Sequence, residues 1–122
     1  MRVLIVDDDP AVAESCRRIL AAKGMHPTVA TNALSAEAVL ASGDAFDLML
    51  TDIKMPKRDG FHLIARARAA YPDLRVLMMT GYLVPETREQ GRRAGVNGFI
   101  AKPFTPGELL AAVRNTVDAK SS

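Results

Sequence analysis

Val3-Leu4-Ile5-Val6-Asp7-Asp8-Asp9 is the stretch whose reading decides the fold. Its four apolar residues show no polar alternation, as expected of a parallel strand covered on both faces. The charge begins only where the apolar run stops. Three later runs end the same way: Leu48-Met49-Leu50-Thr51 meets Asp52, Val76-Leu77-Met78-Met79 meets Thr80, and Gly98-Phe99-Ile100-Ala101 meets Lys102-Pro103. In a parallel sheet all strand carboxyl ends lie on one edge, where open α/β folds build their sites. Carboxylates, a hydroxyl and an ammonium from four distant segments are therefore predicted to share one crevice. Such a set suits a hard divalent cation and a phosphoryl group.

Between these runs the chain alternates strand and helix. Asp9 can cap a first helix with Pro10 at its first position, and Val12, Cys16, Ile19 and Leu20 recur at helical spacing until Lys23-Gly24. A second strand near Pro27–Ala30 is short and contains proline, which predicts an edge. Asn32 opens a second helix whose apolar face reads as Leu34, Ala38 and Val39, stopped at Ser42-Gly43. The third strand reads as Asp47–Thr51. Met55-Pro56-Lys57-Arg58-Asp59-Gly60 is a loop, with Asp59 as the cap of a third helix running to about Ala70. Leu74–Met79 is the fourth strand, Pro85 opens a fourth helix ending at Ala94-Gly95, and Gly98–Ala101 is the fifth strand. Thr105-Pro106-Gly107-Glu108 is a capping box for a last helix with Leu109, Leu110, Val113 and Val117 inward. Five strands alternating with five helices predict a doubly wound α/β fold with helices on both faces.

Composition narrows the function classes. A chain of 122 residues fits one domain, and 48% apolar with 25% charged residues is ordinary globular usage. The net charge of +2 is too small to argue for nucleic acid. The lone Cys16 excludes an internal disulfide and fits a reducing compartment. No apolar run approaches the ~20 residues of a membrane span. Val3–Val6 is too short for the core of a signal peptide and is followed at once by three acids. A cytoplasmic location is expected, with one domain over residues 1–118 and a frayed tail over 119–122.

Taken in order, the motifs resemble those of a receiver domain of bacterial two-component response regulators, over essentially all of residues 2–118. They are Asp7-Asp8, Asp52 with Met55-Pro56 and Asp59-Gly60 beyond it, Thr80-Gly81, and Lys102-Pro103-Phe104. The resemblance implies a flavodoxin-like strand order 2-1-3-4-5 and a phosphoryl group accepted on Asp52. It implies Mg²⁺ (or Mn²⁺) held by Asp8 and Asp52 directly, by Asp7 through water, and by the backbone carbonyl of Lys54. Lys102 and Thr80 would contact the phosphoryl group, Phe99 would be the switch aromatic, and Lys54 and Tyr82 would modulate dephosphorylation. A cis Lys102-Pro103 bond is also implied. Implied partners are a sensor histidine kinase or histidine phosphotransfer protein, a downstream protein, and a second copy of the chain on phosphorylation, without direct nucleic-acid or membrane contact. The output would be the surface of the fourth helix, fifth strand and fifth helix, not catalysis on an external substrate, and no output domain is expected in the chain.

The residue types fit that chemistry. Phosphoryl transfer is mostly positioning and charge neutralisation, a carboxylate can carry the group as an acyl phosphate, and Mg²⁺ takes carboxylate, phosphate and water oxygens. Clustered carboxylates also repel, so this edge is expected to be destabilising without the metal. Plainer roles suffice elsewhere: Asp9 as a cap, Met78 and Met79 as core, His26 and His62 as surface residues, Cys16 as an inert thiol, and Arg88, Arg92 and Arg93 as a solvated helix face. Neither histidine has a phosphotransfer context, so the chain should accept phosphate and not donate it. A haloacid-dehalogenase-type phosphatase is the rival reading, with Asp7-Asp8-Asp9 as its motif. It needs a further acidic pair after the lysine, where only Glu108 and Asp118 remain, and it leaves Asp52 without a role. A phosphate sink or interaction module of the same fold is the third reading. A flavin-binding protein fails for want of a phosphate-cradling loop after the first strand.

Overall fold

The computed structural model describes residues 1–53 and 60–118. The elements are β1 (Arg2–Val6), α1 (Pro10–Ala21), β2 (His26–Ala30), α2 (Ala33–Ala41), β3 (Leu48–Asp52), α3 (Gly60–Ala70), β4 (Arg75–Thr80), α4 (Pro85–Ala94), β5 (Gly98–Ala101) and α5 (Pro106–Asp118). The strands form one parallel sheet in the order β2-β1-β3-β4-β5. Because β-strand side chains alternate, the uninterrupted apolar run of β1 feeds two cores. Val3 and Ile5 join Cys16, Leu20, Leu109 and Val113 on one face, while Leu4 and Val6 join Ala36, Leu40, Leu63 and Ile64 on the other. Met78 and Met79 are both fully buried in β4. Among the described residues no helix is long and apolar enough to cross a membrane.

Local chemistry sets the element ends. The Asp9 carboxylate accepts from Ala11 N at 2.9 Å, and the Asn32 side chain accepts from Ser35 N at 2.7 Å. Gly24, Gly43 and Gly95 follow their helices with φ of +80°, +89° and +97°. The Thr105 hydroxyl accepts from Glu108 N at 3.1 Å while Glu108 Oε1 accepts from Thr105 N at 2.9 Å, the reciprocal pair of a capping box. Those bonds hold the Glu108 carboxyl below its ordinary range. Its contribution is therefore present above the ordinary glutamate pKa and is lost as pH falls through the lowered one. Thr105→Ala is expected to cost about 1 kcal/mol of stability, read by thermal or urea melts. An unchanged midpoint would show that the box stabilises nothing.

Two strands and one helix face differ from the sequence reading. β3 and β4 each begin and end one residue later than expected: the Asp47 carboxylate accepts from Arg2 N at the start of β1, and Leu74 N donates to Tyr71 O in the turn before β4. The larger correction is α2. Leu34 is 62% exposed and Ala38 is exposed, and the buried face is Ala33, Ala36 and Leu40 with Val39 partly packed. Apolar residues surround this helix on every side, so periodicity could not choose a face; contact with the sheet and α3 did. The expected Asp59 cap and the Met55-Pro56 turn lie outside the described residues.

Candidate functional site

Asp7 directly follows β1, while Asp52 and Thr80 are the last residues of β3 and β4 and Lys102 directly follows β5. The register sets β1 beside β3, β3 beside β4 and β4 beside β5, with Asp52 opposite Met79 and Thr80 opposite Ala101. All four side chains therefore meet at one edge. Carboxylate oxygens of Asp7, Asp8 and Asp52 lie within 4.8 Å of one another. Asp7 and Asp52 are buried, and Asp8 is exposed.

Lys102 reaches across the cluster. Its Nζ donates to Asp7 Oδ2 and to Asp52 Oδ2, both at 2.7 Å. The resemblance assigned this ammonium to a phosphoryl oxygen; here it is a counter-ion for two carboxylates and offsets part of their repulsion. Burial works against its charge, but the hydrogen bonds to Asp52 and Asp7 outweigh it and its pKa is raised. Burial also pushes the Asp7 carboxyl up, although Lys102 and the Asp9 N–H, donating at 2.9 Å, pull it back. The Cys16 thiol, pushed up to about 11 by burial, stays protonated at neutral pH.

The frame around Asp52 is tight. The Thr51 hydroxyl donates to the Asp52 carbonyl at 2.9 Å, and Gly60 N donates to Ile53 O at 3.1 Å. A Cβ on Gly60 would stand 2.5 Å from Ile53 Cα and 2.8 Å from the Asp52 carbonyl oxygen. Only glycine lets the start of α3 press against this backbone, a role the sequence reading did not assign to it; an Asp-Gly pair closing the loop was the available signal. Thr80 is buried, and its Oγ1 accepts from Tyr82 N at 3.0 Å. Tyr82 itself is 66% exposed, and a Cβ on Gly81 would meet nothing within 4 Å, so the loop after β4 is open at the site. Phe99 is half-buried in β5. The Lys102-Pro103 bond is cis, as expected. Lys54 lies outside the described residues. His26 and His62 are exposed and stand apart from the cluster.

A family model for the response regulator receiver domain matches residues 3–114. The chain belongs to the response-regulator receiver family. Response regulator MprA of Mycobacterium avium (strain 104) is 38% identical over 114 residues, covering 93% of this chain and 50% of that protein. The receiver thus spans about half the length of the curated relatives it matches. Among solved structures, Vibrio cholerae chemotaxis protein CheY4 superposes with TM-score 0.89 at 29% identity, over 94% of this chain and 97% of that one. A Burkholderia pseudomallei response regulator, solved with a phosphorylated aspartic acid and a calcium ion, gives TM-score 0.86 at 28% identity over 95% and 68%. The strand order and the flanking helices of this receiver are those of the CheY-like fold.

Where Lys102 already balances Asp7 and Asp52, Asp8 is the acid whose removal should relieve repulsion most simply. Asp8→Asn is expected to stabilise the metal-free protein by about 0.5–1 kcal/mol, the scale of an exposed charge pair, and to weaken the gain in melting temperature on adding Mg²⁺. Melts with and without millimolar Mg²⁺ check both halves; a lower melting temperature without metal would count against the electrostatic account.

Proposed function

We propose that this receiver accepts a phosphoryl group on Asp52 from a histidine kinase or histidine phosphotransfer protein in the cytoplasm and then alters its α4–β5–α5 surface. The observation that carries this reading is the Asp7, Asp8 and Asp52 cluster with Lys102 at 2.7 Å from Asp52. The three acids suit Mg²⁺ in number, type and spacing. Asp8 and Asp52 would hold it directly, Asp7 through water, and the Lys54 carbonyl would add an oxygen. When bound, Mg²⁺ supplies positive charge against the oxygens of the phosphoryl group and of Asp52.

An Asp52 carboxylate oxygen attacks phosphorus, the bond from phosphorus to the donor nitrogen breaks, and the nitrogen keeps the electron pair. Lys102 moves from carboxylate to phosphoryl oxygen, and Thr80 exchanges its local bond for a charge-assisted one to the new group. Moving an equilibrium from 1:99 to 99:1 takes about 5.5 kcal/mol, and one or two such bonds supply a large part. Thr80 is thereby drawn toward Asp52, and the loop after β4, α4 and Phe99 follow. Phe99 has no hydroxyl, so an outward ring is not held by a ring hydrogen bond.

Incubation with acetyl phosphate tests the reading. Intact-mass spectrometry is expected to show one base-labile phosphoryl adduct with Mg²⁺ present and none with a chelator. No adduct under either condition would overturn it. Amide shifts with beryllofluoride should extend into α4 and β5; perturbations confined to the strand-end loops would favour a phosphate sink.

Lifetime is a separate matter. Tyr82, exposed beside open space at Gly81, shields the acyl phosphate from water, and Tyr82→Ala is expected to shorten its half-life severalfold. Lys54→Ala is the companion variant, since Lys54 would contact the group or crowd the water. Equal half-lives for wild type and both variants would leave these as ordinary loop residues.

A further inference from the structure

Helix α4 buries few of its own side chains. Its buried residues are Thr87 and Gly91, and its N-cap Val84 makes no side-chain capping bond. A glycine inside a helix is unfavourable by about 0.5–1 kcal/mol relative to alanine, so Gly91 weakens an already weak element. The space its missing side chain leaves is filled from β5. A Cβ at Gly91 would stand 2.7 Å from Phe99 Cε1 and 3.2 Å from Phe99 Cζ, with Met78 Sδ at 3.2 Å. Arg88, one turn earlier on α4, places its guanidinium carbon 5.4 Å from the centre of the same ring, within cation–π range.

We infer that Gly91 is a seat for the Phe99 ring and Arg88 its clasp, holding the ring against α4 before any phosphoryl group is present. The seat sets the resting position of the α4–β5 surface, and in that consequence it rests on the switch reading above. The contact itself does not depend on phosphorylation. A ring seated in a notch, under a cation, ties β5 to α4 where the helix has no large apolar side chain of its own buried. Displacement of the ring would release α4 together with the Arg88 face.

The test is a sign reversal read on the unphosphorylated protein. Gly91→Ala is expected to lower the melting temperature in the wild-type background, because its methyl group and the ring compete for one space. In a Phe99→Ala background the same substitution is expected to raise it, since the methyl group then fills the vacated notch, Met78 yields as a flexible neighbour, and helix propensity favours alanine. The Met78 methyl resonance should also lose its ring-current shift in Gly91→Ala alone. A rise in both backgrounds would show only helix propensity, a fall in both would place the clash elsewhere, and an unchanged Met78 methyl would leave the ring seated; each overturns the inference. Because all arms omit phosphate, their failure is separate from a failure of Asp52 to accept a phosphoryl group, which the mass measurement reads.

Discussion

Lys102→Met is expected to lower the stability of the metal-free protein by about 2–3 kcal/mol, and added Mg²⁺ is expected to close much of that gap. Removing one partner of a buried ion pair costs about 3–5 kcal/mol because the other charge is left uncompensated. Here the Lys102 and Asp52 side chains keep 21% and 11% of their exposure, so solvent screening reduces the figure. Lys102 is also one of the groups that pull the Asp7 carboxyl back down, so its removal raises that carboxyl further. For a domain of this size the change corresponds to about 10 °C in Tm. A divalent ion among the three acids replaces the missing cation, so Mg²⁺ should stabilise the variant more than the wild type. The sign with pH follows from the raised pKa of Lys102. Its contribution is complete below the ordinary lysine pKa and is lost as pH rises through the raised one, so the wild-type advantage should persist at neutral pH and shrink under strong alkali. Melts of both proteins with chelator and with Mg²⁺ decide it. An equal deficit in the two conditions would mean that Lys102 acts by packing and not as the counter-ion of the cluster.

Asp52→Asn is expected to abolish the phosphoryl adduct altogether. An amide offers no anionic oxygen to attack phosphorus, and Asp52 is the carboxylate at the end of β3 that shares Lys102 with Asp7. The neighbouring acids are not expected to substitute for it. Asp7 is fully buried, and its carboxylate is tied to Lys102 on one oxygen and the Asp9 N–H on the other. Asp8 is exposed but belongs to the loop after β1. The variant should stay folded, because Lys102 keeps its bond to Asp7 and one repelling charge is gone. Its Mg²⁺-dependent gain in melting temperature should fall as well. Intact mass after acetyl phosphate treatment, followed by peptide mapping of any adduct, checks the assignment. An adduct formed at the wild-type rate would place the nucleophile on another residue.

Much of the site was legible because its residues end recognisable apolar runs. Asp52, Thr80 and Lys102 are more than twenty residues apart, yet each terminates or follows a run whose length and flanks mark a strand. Phe99 was legible as a residue of β5 but not as a partner of Gly91, since nothing local relates a strand aromatic to a helical glycine. The face of α2 was misread because its apolar residues lie on all sides, leaving the choice among Leu34, Ala38 and Val39 against Ala33, Ala36 and Leu40 to what packs beside it. Gly60 looked like an ordinary loop end until its contact with the backbone of Asp52 and Ile53 was seen.

By itself the sequence determined the alternation of strands and helices, the caps at Asp9, Asn32 and Thr105, and the gathering of Asp7, Asp8, Asp52, Thr80 and Lys102 on one edge. These follow from local propensity and from the rule that parallel strands joined by crossovers all point the same way. The tertiary structure alone decided that Lys102 lies between Asp7 and Asp52, that Gly60 and Gly91 are sites of close approach, and which side of α2 is buried. Those outcomes depend on distances between groups far apart in the chain, and such distances are settled only when the elements pack.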